Sequence, residues 1–202
     1  MKVIEQLLAS AGISPIAGVD EAGRGACAGP LVIASVVLHD PFAAELAVVR
    51  DSKEIPESKR DAVFELIQSI AASVSVVIVP AAEVDARGVH AANLDGMRRA
   101  VQGLDVEPAY VLTDGYAIEG LGVPNLAVWK GDQVVVSISA ASVIAKVTRD
   151  RIMREMDEEF PLYGFAGHKG YITAAHTKAL NDHGPCAQHR TSFANVAALI
   201  HK

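Results

Sequence analysis

Residues 19–38 read VDEAGRGACAGPLVIASVVL: two adjacent acids, three spaced glycines, then an eight-residue apolar run. Gly23, Gly25 and Gly29 give G-x-G-x-x-x-G after the strand-like IAGVD, one residue longer than a dinucleotide fingerprint. That fingerprint must open onto a helix, whose free amides and dipole hold the pyrophosphate. Here Pro30 leads into LVIASVVL, rich in β-branched residues, which reads as a strand. Strand, glycine turn, strand predicts a hairpin, and the phosphate cradle loses its helix. The acids need another explanation, because Asp is disfavoured in strands and costly at an apolar strand end unless solvated, paired or bound to a cation. Alone, Asp20 would pass for an ordinary wet strand end.

The rest of the chain extends the hairpin into a sheet. In SKRDAVFELIQSIAA (58–72), Val63, Leu66, Ile67 and Ile70 fall at i, i+3, i+4 and i+7, one apolar stripe on a helix. VSVVIVP (74–80) reads as a buried strand closed by Pro80, VHAANLDGMRRAVQGL (89–104) as a helix, AYVLTDG (109–115) as a short strand, and LAVWKGD (126–132) as a strand end. From Ser137, SISAASVIAKVTRDRIMREMDEEF predicts a long helix with Ile144, Thr148, Ile152 and Met156 on one face. ITAAHTKALNDHG and SFANVAALI predict two closing helices, the first ended by Gly184. The expected fold is α/β, one domain over residues 1–202, with a mixed central sheet flanked by helices and a helical C-terminal part from about residue 160.

In that layout Asp20, Asp114 and Asp132 each sit at or just past the C-terminal end of an apolar strand. Adjacent strands lie roughly 4.8 Å apart, so central strands would bring these ends together. Converging carboxylates repel one another and are tolerable together mainly with divalent cations between them. Oxygen-only ligands suit Mg²⁺ or Mn²⁺, and Mg²⁺ held by few carboxylates usually completes its shell with water and substrate phosphate. The implied substrate is a phosphate ester.

Composition narrows the remaining choices. Half of the 202 residues are hydrophobic, enough for a substantial core, and no linker, repeat or low-complexity tract interrupts them. MKVIEQLLASAGIS lacks the basic start and uninterrupted apolar region of a secretion signal, and no 18-residue apolar run is present. With only Cys27 and Cys186, a disulfide framework is not expected and a reduced, cytoplasmic protein is the default. His183, Cys186 and His189, with His176 as a fourth, could be imagined around zinc. Paired C-x-x-C knuckles are missing, so they read as ordinary polar groups. A net charge of −6 argues against coating nucleic acid by bulk electrostatics. It leaves room for a local basic patch, and residues 129–154 carry Lys130, Lys146, Arg149, Arg151 and Arg154 against Asp132 and Asp150. A solvated helix face would look the same.

GVDEAGRGACAGPLVIASVVL, together with DSK (51–53), TDG (113–115), KGD (130–132), AASVIAKVTRDRIM, YGF..HKGY.T and HR.SF, strongly resembles type 2 ribonuclease H, the bacterial ribonuclease HII family, over about residues 16–193. The resemblance implies a ribonuclease H-like fold and an endonuclease that hydrolyses RNA paired with DNA. It also implies cutting 5′ of single ribonucleotides embedded in duplex DNA, by metal-activated water, leaving 3′-hydroxyl and 5′-phosphate ends. The family's four metal-binding acids fall on Asp20, Glu21, Asp114 and Asp132, with two Mg²⁺ or Mn²⁺ ions expected when substrate is bound. Neighbouring strand residues point to opposite faces, so Asp20 and Glu21 cannot both aim at one ion from a regular strand. A bend at the glycines, or the backbone carbonyl of Glu21, would resolve this.

The turn matching Gly23, Arg24 and Gly25 reads the ribose 2′-hydroxyl in the family, largely through backbone groups, and Tyr171 packs on the sugar of the following deoxynucleotide. Lys53, Ser142, Lys146, Arg149, His168, Lys169 and Arg190 match phosphate and strand contacts, although Arg149 could equally pair with Asp150 or Glu155 as packing. QVVV at residues 133–136 and Tyr116 after DG depart from the family pattern and bear on the loop around Asp132. No sliding-clamp motif is visible in the closing ALIHK, and a monomer without an obligate protein partner is expected. An inert phosphate-binding module and a small-molecule phosphatase are the competing functions.

Overall fold

In the computed structural model, which describes residues 3–200, one mixed sheet has the strand order β3-β2-β1-β4-β5. Helix α1 (Val3–Ser10) precedes the hairpin β1 (Ile16–Ala22) and β2 (Leu31–Leu38); a 3-10 turn (Ala44–Val48) and α2 (Glu57–Ile70) lead to β3 (Ala71–Val79). Helices α3 (Ala81–Arg87) and α4 (Val89–Gln102) come before β4 (Tyr110–Asp114) and β5 (Asn125–Val128). The short α5 (Gly131–Val134), the long α6 (Val136–Glu159), α7 (Phe165–His168), α8 (Ala174–His183) and α9 (Ala194–Ile200) complete the chain. β1 runs antiparallel to β2 and parallel to β4, which puts the C-terminal ends of β1, β4 and β5 on the same side.

The predicted hairpin is present, and every residue of β2 is buried because both faces of the sheet are covered. Val32, Ala34 and Val36 pack with α2 and the first half of α6, while Leu31, Ile33 and Val37 pack with α3 and α4. β3 differs from the expected buried strand. It is an edge strand, longer by three residues at its start than the apolar run, with Val76 and Ile78 exposed. An apolar run cannot distinguish a central strand from an edge one when its residues are mostly Val. On α2 the stripe is shifted, with Phe64 buried alongside Val63 and Ile67 and with Leu66 and Ile70 half-buried.

Helix α6 is anchored at its start by two devices. A Cβ on Gly18 would lie 2.1 Å from the backbone carbon of Ser137, so only glycine lets the helix approach β1 this closely. The buried Glu5 carboxylate accepts the amide hydrogens of Val136 and Ser137, both at 3.0 Å, and thereby caps α6 from another element. Residues 136–145 are consequently buried all round, and the helix face expected from Ile144 onward emerges only beyond them. Among the described residues no helix is long and apolar enough to cross a membrane. The final two residues of ALIHK and the first two of the chain, on which the signal and clamp readings partly rest, lie outside the described residues.

Candidate active site

The sheet brings three of the four acids together. Asp20 lies in β1, Asp114 ends the neighbouring parallel β4, and Asp132 follows β5 as the second residue of α5. One carboxylate oxygen from each lies within 4.8 Å of the other two. Asp114 Oδ1 accepts the Gly131 amide hydrogen at 2.7 Å, tying the β4 end to the turn that carries Asp132. Burial raises the Asp20 pKa well above the usual carboxylate range, and the nearby charges of Glu21 and Asp114 push it further. Burial likewise raises Asp132, with Asp114 and Asp51 adding to the effect. Lys53 is the counter-charge: its Nζ lies 3.8 Å from Asp51 and 3.5 Å from Asp132. Burial draws the Lys53 pKa down, but Asp51, Asp132 and Asp20 outweigh it and the ammonium is held above its ordinary value.

Glu21 stands apart from this cluster, as strand alternation requires. Burial pushes its pKa up to about 7, against the opposing pull of Arg24 and the Asn93 side chain. Its Oε2 is buried without a hydrogen-bond partner. Asp51, the first residue of the DSK motif, lies beside the site with Asp114 and Asp132. It is buried, its Oδ1 accepts the Lys53 amide hydrogen at 3.0 Å, and its Oδ2 accepts from Gln133 at 3.4 Å. The QVVV departure is thus accommodated: Gln133 holds Asp51, and Val135 and Val136 are core. Tyr116 supports the Arg24 guanidinium, which stacks 4.5 Å from its ring centre.

A cleft of about 550 Å³ opens beside Asp20, walled by Gly23, Gly25, Ser142, Lys146 and Tyr171. The glycine turn forming one wall is held from behind. Gly23 has φ +89°, and a Cβ there would strike the Arg149 side chain at 1.9 Å. Arg149 is fully buried and donates to the carbonyls of Pro30 (2.9 Å), Lys169 (2.8 Å) and Ala28 (3.1 Å). Arg190, equally buried, donates to Gly29 and Arg24 carbonyls. Neither guanidinium faces the cleft, and Arg149 pairs with neither Asp150 nor Glu155; their rigid forks fix the turn instead.

The other basic positions divide. Lys146 lines the cleft while bonding Asp150 at 2.7 Å, and Ser142 Oγ donates to Ser52. Lys169 is buried with its Nζ on the Ala166 carbonyl, and His168 bridges the Tyr163 carbonyl and the Gly170 amide, so both shape the bend before Tyr171. Tyr171 is 37% exposed at the cleft, its ring beneath Arg149.

Behind Tyr171 lies a chain of histidines that the zinc alternative had grouped differently. His176 Nδ1 is 3.0 Å from the Tyr171 carbonyl, His176 Nε2 is 3.0 Å from His189 Nε2, and His189 Nδ1 is 2.9 Å from the Cys186 amide nitrogen. A carbonyl only accepts, so His176 carries its proton on Nδ1 and His189 on Nε2, which donates to His176; both rings are neutral and satisfied. His183 is exposed, and among the described residues these groups do not converge on a metal position.

A ribonuclease H-like sheet with three carboxylates at its strand ends defines a metal-dependent nuclease. The ribonuclease HII family model matches residues 17–196, and the chain belongs to that family of endonucleases, which cleave the RNA of RNA/DNA hybrids and cut at single ribonucleotides. It is 58% identical to ribonuclease HII of Acidothermus cellulolyticus over 192 residues, 95% of this chain and 62% of that protein. To ribonuclease HII of Rhodococcus erythropolis it is 57% identical over 198 residues, 98% of this chain and 88% of the relative. The crystal structure of ribonuclease H2 from Pyrococcus horikoshii superposes with a TM-score of 0.79 at 25% identity, covering 92% of this chain and 97% of that one.

Proposed function

We propose that this chain hydrolyses the RNA strand of RNA/DNA hybrids and cuts 5′ of single ribonucleotides in duplex DNA, with Asp20, Glu21, Asp114 and Asp132 holding two Mg²⁺ or Mn²⁺ ions around the scissile phosphate. The observation that carries this is the convergence of Asp20, Asp114 and Asp132 within 4.8 Å beside a cleft walled by the glycine turn and Tyr171. The donor set fits the ions: it is entirely carboxylate oxygen, and Asp20, Glu21 and Asp132 are pushed toward protonation by burial and neighbouring negative charge that cations would relieve. Bound divalent ions supply the charge that activates water on one side of the phosphate and stabilises the departing 3′ oxygen on the other. Glu21, outside the three-aspartate cluster but lining the same hollow as Asp114 and Asp132, serves through its backbone carbonyl or after local rearrangement, and its orphaned Oε2 supports the second course.

The residues around the acids divide the remaining work. Lys53 offers its exposed ammonium to a phosphate once the ions take over the carboxylates. The backbone of residues 23–25 approaches the ribose 2′-hydroxyl, the one group that distinguishes RNA from DNA there. Tyr171 backs the neighbouring sugar, while Lys146 and Ser142 lie along the strand's path. The reading implies no obligate protein partner and a cytoplasmic setting.

A duplex with one embedded ribonucleotide, an all-DNA duplex and a nucleoside monophosphate, each with Mg²⁺ or Mn²⁺, test the proposal. Cleavage of the first alone, 5′ of the ribonucleotide with 3′-hydroxyl and 5′-phosphate ends, is expected. A 2′,3′-cyclic phosphate, or turnover of the monophosphate, would overturn it.

A further inference from the structure

The cleft continues past the acids. A second hollow of about 630 Å³ shares Glu21, Arg24 and Lys53 with the first and runs along Asp114 and Asp132 to an outer lip made by Trp129 and Lys130. Trp129 is 83% exposed, the highest value among the exposed large hydrophobic side chains described. An indole standing in water beside a polar groove has apolar faces and a polar N–H edge, the combination that is enriched where one side chain must meet both an apolar surface and water at an interface. Its carrier is firmly held. Val128 pairs with Asp114 in the sheet, and Gly131, two residues beyond Trp129, bonds the Asp114 carboxylate. The indole therefore has a defined position relative to the acids.

Strand order gives its direction. The glycine turn leaves the sheet at β1, Asp114 ends β4, and Trp129 follows β5, so the acids lie between Tyr171 on one side and Trp129 on the other. From β1 to β5 is two strand spacings, about 10 Å, which at about 3.4 Å per nucleotide is on the order of three nucleotides. We propose that Trp129 is a substrate-binding residue that packs its indole against a sugar of the cleaved strand, one to three nucleotides upstream (5′) of the cut, with Lys130 beside the adjoining phosphate. The inference rests on the nuclease reading above, in which Tyr171 takes the downstream side. Sugar packing is indifferent to base identity, so this contact adds affinity and register without sequence preference.

Trp129 is the single tryptophan of the chain, so its emission reports the contact directly. The full-length Asp20→Asn variant is titrated with a fluorescein-labelled duplex carrying one ribonucleotide and eight base pairs upstream of it, following anisotropy and tryptophan emission together. Expected is an emission change, quenched or blue-shifted, that saturates with the anisotropy. A second duplex of the same length, with the ribonucleotide at its 5′ end and every other base pair downstream, is expected to bind with little emission change. In the active enzyme Trp129→Ala should raise KM roughly fivefold or more with kcat retained, and Trp129→Phe should recover most of it. Saturating anisotropy with unchanged emission, or equal changes on both duplexes, overturns the Trp129 assignment while leaving the nuclease reading intact. Absence of any binding to the first duplex overturns both.

Discussion

At the scale of single residues, Asp20 shows why these acids are poor stabilisers. Its neighbours and its burial both disfavour the charged form, so Asp20→Asn removes a repulsive charge from the metal-free protein while deleting a proposed ligand. Cleavage is expected to fall by at least 10³-fold with the melting temperature level or raised. Mg²⁺ should raise the wild-type melting temperature more than that of the variant. A large drop in melting temperature for Asp20→Asn would make the acid structural. Tyr171 gives a different signature. Tyr171→Ala keeps every acid but loosens the strand, and a misplacement of about 1 Å can cost on the order of 10²-fold in rate. The single-ribonucleotide substrate should lose more than a continuous hybrid, because one isolated ribose offers no alternative register. Equal losses, measured by steady-state kinetics on both substrates, would remove its junction role.

At the scale of elements, the hairpin, the long helix and the closing helices were legible because each has a strong period or a strong stop. A Val-rich apolar run does not record whether a strand is central, so the buried strand expected over residues 74–80 is instead the half-exposed edge strand β3. Asp20, Asp114 and Asp132 were legible as strand-end acids, but Asp51 was not, since it reaches the site from a loop between the 3-10 turn and α2. Arg149 and Arg190 carried a misleading signal: a basic residue in a basic helix or a closing motif implies phosphate, whereas both are consumed by main-chain carbonyls. Their burial yields a prediction about the turn. Arg149→Met keeps the stem packing but leaves three carbonyls without donors, so a loss of about 2–4 kcal/mol in urea unfolding is expected, with reduced discrimination between ribose and deoxyribose. Unchanged unfolding free energy would show that the turn holds itself. Glu5→Gln tests the other anchor: weakening the charged cap on α6 should cost about 1 kcal/mol and leave KM unchanged.

At the scale of the whole molecule, two groups of buried titrating residues pull stability in opposite directions with pH. Burial, and then His176, lower the His189 pKa to about 4, and burial lowers that of His176, so in the fold both bind fewer protons than in the unfolded chain, where histidine titrates near 6.5. Their contribution is fully present above pH 6.5 and is lost as pH falls from there toward 4. The raised acids work the other way in the metal-free protein, with Glu21 near 7, and contribute stability that is lost as pH rises through the same window. Comparing two proteins isolates the histidines. His189→Gln can still donate to His176 and cannot titrate, while every acid stays in place, so the difference between the two melting curves reports the histidine alone. The variant should melt lower than wild type at pH 8, because the Cys186 amide loses its acceptor, and the gap should narrow steadily between pH 6.5 and 5. Since His176 holds the Tyr171 carbonyl, wild-type discrimination of single ribonucleotides should be kept through pH 5, where the fold still holds His189 neutral, and weaken only as pH approaches 4, where His189 protonates and two N–H groups come to face each other. Parallel melting curves from pH 8 to 5 would mean that His189 is not held neutral by its surroundings, and the coupling from this chain to Tyr171 would fall with it.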